Sequence, residues 1–311
     1  MGASLVAVHT GRFGDAMMAG LGMLLPGVEL VPAGSPEARR GADVLVTLAD
    51  DAPAIAEALT DGIRWVHVLG AGIDGFPLEI VGDRTLTCSR GAGAPAIAEF
   101  VLAAMLAFEK HLPEMWITSP PDQWNVAQLG GLEGRTLGIV GLGSIGAQVA
   151  RRALAFDMEV VGLRRRPGPS PVDGVTVSPD LASLLGRSDH VVLAAPATAM
   201  TERLLDDAAL AGIRPGAHLV NVSRGSLVDQ GALVRALDDG RIARASLDVV
   251  DPEPLPAGHP LYGHPAVHLS PHVTWSSPAT VRRTFELFVD NLDRYRTGRE
   301  LTGQVDVAAG Y

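Results

Sequence analysis

One stretch constrains this chain more than any other. Residues 137–150, LGIVGLGSIGAQVA, run an apolar strand pattern into Gly141, Gly143 and Gly146 in G-x-G-x-x-G spacing, then straight into a helical pattern. In such a setting the first glycine permits a tight turn, the second leaves backbone room for a pyrophosphate, and the third lets helix and strand pack closely. Ser144 and Ile145 open the helix, whose unpaired N–H groups face the phosphates. Strand, turn and helix in this order predict a parallel α/β fold and a bound dinucleotide.

An acidic residue that grips a ribose 2′-hydroxyl is expected about 20 residues past the glycines. At that place MEVVGLRRRPG ends its strand in Arg164, Arg165 and Arg166. A carboxylate would repel a 2′-phosphate, whereas arginines attract one through paired hydrogen bonds. The pattern therefore selects NADP(H), with NAD(H) as the alternative cofactor. Arg164 stands where the acid would be, Arg165 beside it, and a solvated charge run is the competing reading.

Elsewhere short apolar runs alternate with amphipathic stretches. LVAVH, VLVTLA and WVHVLG read as strands, and APAIAEALTDG as a helix ending at Gly62. A long helix over about 94–112 has Pro95 in its first turn, and a polar, proline-containing passage follows it. Alternation then restarts at Gly138, with later strands in HVVLAAP, HLVNVS, RASLDVV and VHLSPH. The last helix spans about 277–298 and stops at a glycine.

Composition narrows the partners. A formal net charge of -10 opposes nucleic acid or an anionic membrane as a general partner. The longest apolar runs, such as VLAAMLAF, are too short to span a bilayer, and the opening MGASLVAVHT reads as a strand instead of a signal peptide. A single cysteine, Cys88, permits no internal disulfide and no cysteine metal cage. A cytoplasmic protein is expected.

Three residues are candidates to carry chemistry, although a lone glutamate is more often a solvated surface residue and a lone histidine more often structural. In LVNVSRGSLVDQ an apolar strand runs into Arg224, at the sheet edge where open α/β folds bind ligands. Its planar fork suits a carboxylate with an adjacent carbonyl, or else an internal salt bridge. In DVVDPEPLPAG, Glu253 sits between Pro252 and Pro254, which stiffen its segment. In VHLSPHVTW, His272 follows a strand and Pro271; a neighbouring glutamate would stabilise its imidazolium for proton donation. His259, His264, His268 and His272 crowd together in sequence, but Pro260, Pro265 and Pro271 break any helix that would gather them. No metal site is expected.

Taken together, GLGSIG, NVSRGSLVDQGALVRAL, ASLDVVDPEPLPAGHPLYGHPAVHLSPHVT and the earlier VLGAGID resemble the D-isomer-specific 2-hydroxyacid dehydrogenase family, almost continuously from about Gly131 to Pro278. The resemblance implies an α/β fold of two Rossmann-like lobes with parallel sheets. A nucleotide-binding lobe, residues 94–279, would be inserted into a flavodoxin-like substrate lobe of residues 1–93 plus 280–311, the two closing over a cleft. It implies reduction of a small 2-oxo acid, of glyoxylate or hydroxypyruvate type, to the D-2-hydroxy acid. Arg224 would bind and polarise the substrate, His272 would act as acid and base, and Glu253 would hold His272 protonated and oriented. Backbone N–H groups of Ala71 and Gly72 would take the substrate carboxylate. Asp248 would face the nicotinamide amide, and Pro196 would line the cofactor. A homodimer joined through the nucleotide lobes and the passage with Trp116 and Trp124 is implied, internal packing of those tryptophans being the alternative.

Trp275 departs from the small or polar residue that the family commonly has soon after the histidine, and would border the substrate or pack at a hinge. Residues 47–52, TLADDA, would line the entrance. Glu253 speaks against the formate-oxidising relatives, which carry glutamine there. Phosphite oxidation and a cofactor-sensing, corepressor-like scaffold stay open as alternatives.

Overall fold

The computed structural model describes residues 5–9, 11, 14–49, 51–166 and 168–310. The first four residues of the opening segment and Asp50 of the expected entrance lie outside the described residues. The chain divides into two compact units, Met1–Gly93 with Ser276–Tyr311, and Ala94–Trp275.

In the first unit, β1 (Leu5–Val8), α1 (Gly14–Leu24), β2 (Glu29–Pro32), α2 (Pro36–Gly41), β3 (Ala42–Thr47), α3 (Ala52–Ala58), β4 (Trp65–Val68) and β5 (Thr85–Cys88) follow in order. The strands form one parallel sheet in the order β2-β1-β3-β4-β5. That is the doubly wound order of flavodoxin-like folds. WVHV of β4 is buried at every position, as expected of a central parallel strand covered on both faces. Trp65 stacks on Phe288 of the C-terminal helix (Pro278–Arg296), with ring centroids 5.5 Å apart. Ser277 caps that helix and Pro278 opens it.

The helix expected to reach Gly62 stops at Ala58, where Leu59 leaves the helical conformation with ψ 70. Gly62 serves another purpose: a Cβ there would stand 2.9 Å from the Ala42 carbonyl oxygen.

The second unit holds α4 (Ala94–Glu109), β6 (Thr136–Val140), α5 (Ser144–Leu154), β7 (Glu159–Leu163), β8 (Val175–Val177), α6 (Leu181–Arg187) and β9 (His190–Leu193). It continues with α7 (Asp207–Ala211), β10 (Ala217–Asn221), α8 (Gln230–Asp238), β11 (Ile242–Leu247), α9 (Pro260–Gly263) and β12 (Val267–Leu269). Its seven parallel strands run β12-β11-β10-β9-β6-β7-β8. Counted from β6 this is the Rossmann order with one strand added, and the order reverses between β6 and β9. Val101, Leu102 and Met105 of α4 share a core with Val149, Ala150 and Ala153 of α5. Leu184, Leu193 and Leu233 belong to the other main core of this unit.

The long helix ends at Glu109, short of Leu112, because Glu109 is buried against His190 and His111 turns left-handed with φ 51. In the passage beyond it Trp116 and Trp124 stand 72% and 76% exposed, so internal packing does not account for them.

Candidate active site

The candidate cofactor and catalytic residues of the second unit lie just past the carboxyl ends of strands: the glycines after β6, Arg164 after β7, Pro196 after β9, Arg224 after β10, Asp248 and Glu253 after β11, His272 after β12. Parallel strands with the crossovers of this fold bring those ends to one edge of the sheet.

The three glycines do different work. Gly141 has φ 105, and a Cβ would meet the Ala195 nitrogen at 2.7 Å; at Gly146 it would meet the Gly141 oxygen at 2.1 Å. Gly143 differs, since a Cβ there meets nothing within 4 Å. Among the described residues no neighbour fills the space of a Cβ at 143, which leaves room there for close approach of a ligand. Gly143 is also the N-cap of α5 and supplies no side-chain cap, whereas Asp180, Asp206 and Asp229 cap α6, α7 and α8 through their carboxylates. The N–H donors at Ser144 and Ile145 thus suit a pyrophosphate. This cradle fits a dinucleotide.

Across the switch point Pro196 is exposed, and its carbonyl accepts from Thr201 Oγ1 at 2.7 Å. Arg164 is half-buried and donates to the Pro169 carbonyl of its own turn; Arg165 and Arg166 are exposed.

Around Arg224 the turn is tied by Asn221, a residue that inspection of the sequence did not single out. Asn221 is 1% exposed; its Oδ1 accepts from the Ser223 amide at 3.0 Å and its Nδ2 donates to the Arg224 carbonyl at 2.9 Å. The signal was present in an amide side chain at the end of an apolar strand, which must find partners when buried. Arg224, partly buried, donates from Nη1 to the Ser223 carbonyl at 2.7 Å. Gly225 follows because a Cβ there would lie 2.0 Å from the Val250 carbonyl carbon. Gln230 exchanges hydrogen bonds with the Asp251 backbone, so the Arg224 turn and the Glu253 segment are knitted together.

Glu253 and His272 meet directly, Nδ1 to Oε2 at 2.8 Å, with side chains 38% and 39% exposed. A carboxylate only accepts, so Nδ1 carries the donated proton and Nε2 is the nitrogen left to act on a ligand. The second glutamate oxygen accepts from the Val250 amide at 3.3 Å, which orients the carboxylate. His272 adopts φ 54, the left-handed region.

Asp248 anchors this loop. It is 2% exposed; Oδ1 accepts from Ser270 Oγ at 2.6 Å and the Val273 amide at 3.0 Å. Oδ2 accepts from the Thr274 amide at 3.1 Å and Thr274 Oγ1 at 2.7 Å. A nicotinamide amide would have to share oxygens that already accept these bonds. Trp275, 41% exposed, donates its indole N–H to the His272 carbonyl at 3.0 Å. Ser270 and Thr274 escaped notice in the sequence, because their role appears only once the loop folds back on Asp248.

The four crowded histidines go separate ways. His259 Nδ1 accepts from the Leu261 amide, His264 Nδ1 accepts from the Ala266 amide, His268 lies near Arg244, and His272 holds Glu253. Among the described residues no three His, Cys, Asp or Glu side chains gather as a metal-binding group. In the first unit, Ala71 and Gly72 follow β4; Ala71 is exposed, and its carbonyl accepts from the Cys88 thiol at 3.5 Å.

A second histidine–glutamate pair lies at the opposite end of the larger sheet. His190 Nε2 meets Glu109 Oε1 at 3.1 Å with both side chains buried, His190 Nδ1 meets His218 Nδ1 at 3.3 Å, and His218 Nε2 meets Ser246 Oγ at 2.9 Å. Burial holds His218 well below its ordinary range, and the charges of His190, Arg244 and His268 add to the effect. Burial pushes the Glu109 carboxyl up, but the hydrogen bond and charge of His190 with the charge of Arg135 outweigh it and leave it below its ordinary range.

The family described as "D-isomer specific 2-hydroxyacid dehydrogenase, NAD binding domain" matches residues 102–274. A glyoxylate reductase of Korarchaeum cryptofilum is 34% identical over 284 residues, covering 84% of this chain and 85% of that protein. The solved structure of a D-isomer specific 2-hydroxyacid dehydrogenase from Xanthobacter autotrophicus, in complex with NADPH and MES, matches with a TM-score of 0.87 and 27% identity over the whole of both chains. An NADPH-dependent glyoxylate/hydroxypyruvate reductase from Sinorhizobium meliloti, in complex with NADP and sulfate, matches with a TM-score of 0.82 and 25% identity, covering 99% of this chain and 100% of that one.

Proposed function

This chain belongs to the D-isomer specific 2-hydroxyacid dehydrogenase family, and from that premise we propose that it reduces a small 2-oxo acid, of glyoxylate or hydroxypyruvate type, to the D-2-hydroxy acid with NAD(P)H. The observation that carries this reading is the His272–Glu253 pair, bonded at 2.8 Å and half-exposed, on the same sheet edge as Arg224 and the uncapped N-terminus of α5. The nicotinamide, when bound, supplies the hydride. Arg224 holds the substrate anion and polarises its carbonyl through the guanidinium fork. His272 Nε2 gives a proton to the carbonyl oxygen as it becomes an alcohol, while Glu253 keeps Nδ1–H and with it the orientation of the ring. In the reverse direction the same nitrogen takes the alcohol proton. Ala71 and Gly72 are proposed to offer backbone N–H groups to the substrate carboxylate.

NADP(H) is the proposed preference, resting on Arg164, Arg165 and Arg166 after β7 and on the lack of an acid there. A homodimer is proposed from Trp116, Ile117, Trp124 and Val126, exposed at 72%, 55%, 76% and 72% in the passage after α4. Sedimentation as a monomer at micromolar concentration would remove that part.

The test follows loss of NADPH and, separately, NADH with glyoxylate, hydroxypyruvate and pyruvate. Fast loss with one acid, abolished in His272→Gln, is the expected outcome. Tight cofactor binding without turnover of any acid would move the reading to a cofactor-sensing scaffold, and formation of NADPH or NADH from the oxidised cofactor with phosphite alone would move it to that oxidation.

A further inference from the structure

We infer that Trp275 is a positioning residue for His272: its indole N–H closes a clamp that keeps the histidine backbone in the left-handed conformation from which Nδ1 meets Glu253. The inference rests on the catalytic reading of His272 given above and adds a residue to it.

Three amides of the His272 turn reach one residue: His272 N–H donates to the Asp248 carbonyl at 2.9 Å, shared with the Ser270 carbonyl at 3.1 Å, and the Val273 and Thr274 amides donate to the Asp248 carboxylate at 3.0 and 3.1 Å. The His272 carbonyl accepts from Trp275 Nε1 at 3.0 Å. A histidine at φ 54 is in a region that L-residues with a Cβ occupy only when their surroundings hold them there. Amide bonds to Asp248 fix one side of the peptide; the indole fixes the other.

Trp275 is not a core residue. Trp65, a core residue, is fully buried, whereas Trp275 leaves 41% of its surface exposed. Exposing so much aromatic surface is unfavourable for a residue kept only for its bulk. An indole offers one polar atom, a donor, and here that donor reaches the carbonyl of the proton-transferring residue. The bond spans three residues, so the ring travels with the loop and not with a distant element. Misplacing a reacting group by a fraction of an ångström lowers turnover more than binding, because the geometry of transfer is stricter than that of docking.

The decisive variant is Trp275→Phe, which keeps an aromatic ring and removes the donor. It is expected to lower kcat about tenfold, with KM for the 2-oxo acid and for NADPH within about twofold of the parent and the melting temperature nearly unchanged. In the intact protein the Trp275 indole proton should be protected from solvent exchange, and the His272 Nδ1 proton should give a resolved downfield NMR signal that the variant broadens or loses. Parental kcat together with an unchanged Nδ1 signal in Trp275→Phe would overturn the inference. So would a fast-exchanging indole proton in the parent, which needs no variant to fold. If Trp275→Phe matches the parent and only Trp275→Ala raises KM, the ring is a wall for the substrate and the clamp is refuted. If the parent reduces no 2-oxo acid, the proposed function fails by itself, while the two NMR signals still decide the clamp.

Discussion

Two histidine–glutamate pairs sit at opposite ends of one seven-stranded sheet. At the carboxyl edge His272 and Glu253 are bonded at 2.8 Å with side chains 39% and 38% exposed; at the amino edge His190 and Glu109 are bonded at 3.1 Å with 0% and 5% exposed. The chemistry of the pairs is the same and their surroundings are not. His190 spends its second nitrogen on His218, and Glu109 also faces Arg135 at 3.8 Å, so that pair is enclosed in its own network. His272 spends one nitrogen on Glu253, and under the proposed function the other serves the ligand. Burial with complete pairing makes a polar group structural, whereas the same group half in water can exchange a proton.

Replacing His272 by glutamine should separate the two pairs most sharply. Under the proposed function kcat falls by about a thousandfold, within the range for loss of a general acid, while urea unfolding is unchanged. A comparable loss of stability would mean that both pairs are structural. Glu109→Ala should do the converse. It leaves His190 buried without its carboxylate, and loss of one partner of a buried pair costs about 3–5 kcal/mol. Steady-state turnover per folded molecule should stay at the parental value, and a drop in kcat matching that of His272→Gln would break the distinction.

Acid titration sharpens it further. Burial lowers His67 in the first unit from its ordinary 6.5 to about 3, and lowers His218 well below the same value. Each is neutral when folded and protonates more readily when unfolded. Their contribution is therefore complete above pH 6.5 and is lost as pH falls through the window toward about 3 for His67. The slope is about 1.4 kcal/mol per pH unit for each histidine. Glu109, held below its ordinary 4.5, contributes stability present above that value and lost below it. Unfolding free energies measured between pH 7 and pH 4 should show this slope, and His67→Asn should reduce it. An unchanged slope in that variant would mean that His67 is not the neutral buried group described here.

The smallest effect expected is at the carboxyl edge. Arg164→Ala should reduce the NADPH over NADH preference by about three- to tenfold, up to about 1.4 kcal/mol, with no change in unfolding. An unaltered preference would leave Arg164 as a partner of the Pro169 carbonyl only.

Much of this was legible from short windows. The parallel α/β class followed from alternating apolar runs, and the glycine spacing placed the nucleotide turn, because each depends on residues within one strand, turn and helix. Element ends were less legible. α3 stops at Ala58, where Leu59 leaves the helical conformation before Gly62 passes close to the Ala42 carbonyl, and α4 stops at Glu109, whose side chain bonds His190. Neither Ala42 nor His190 is near in sequence to the helix end it adjoins. The site divides in the same way. Strand ends and proline neighbours marked Arg224, Glu253 and His272 only as candidates, and their roles came from the family resemblance, whereas Asn221 and Thr274 became visible only when the turns closed on them.

By itself, then, the sequence determined the order of strands and helices, the glycine cradle and the identity of the residues that reach the carboxyl edge, since hydrophobic period and turn chemistry are local. Only the tertiary structure decided which histidine is sealed and which is open. Glu109 and His190 are 81 residues apart in the chain, and their burial depends on α4 lying against the start of β9. Tertiary packing likewise gave Asp248 the amides of the His272 turn, because a buried carboxylate takes whichever donors the fold brings to it.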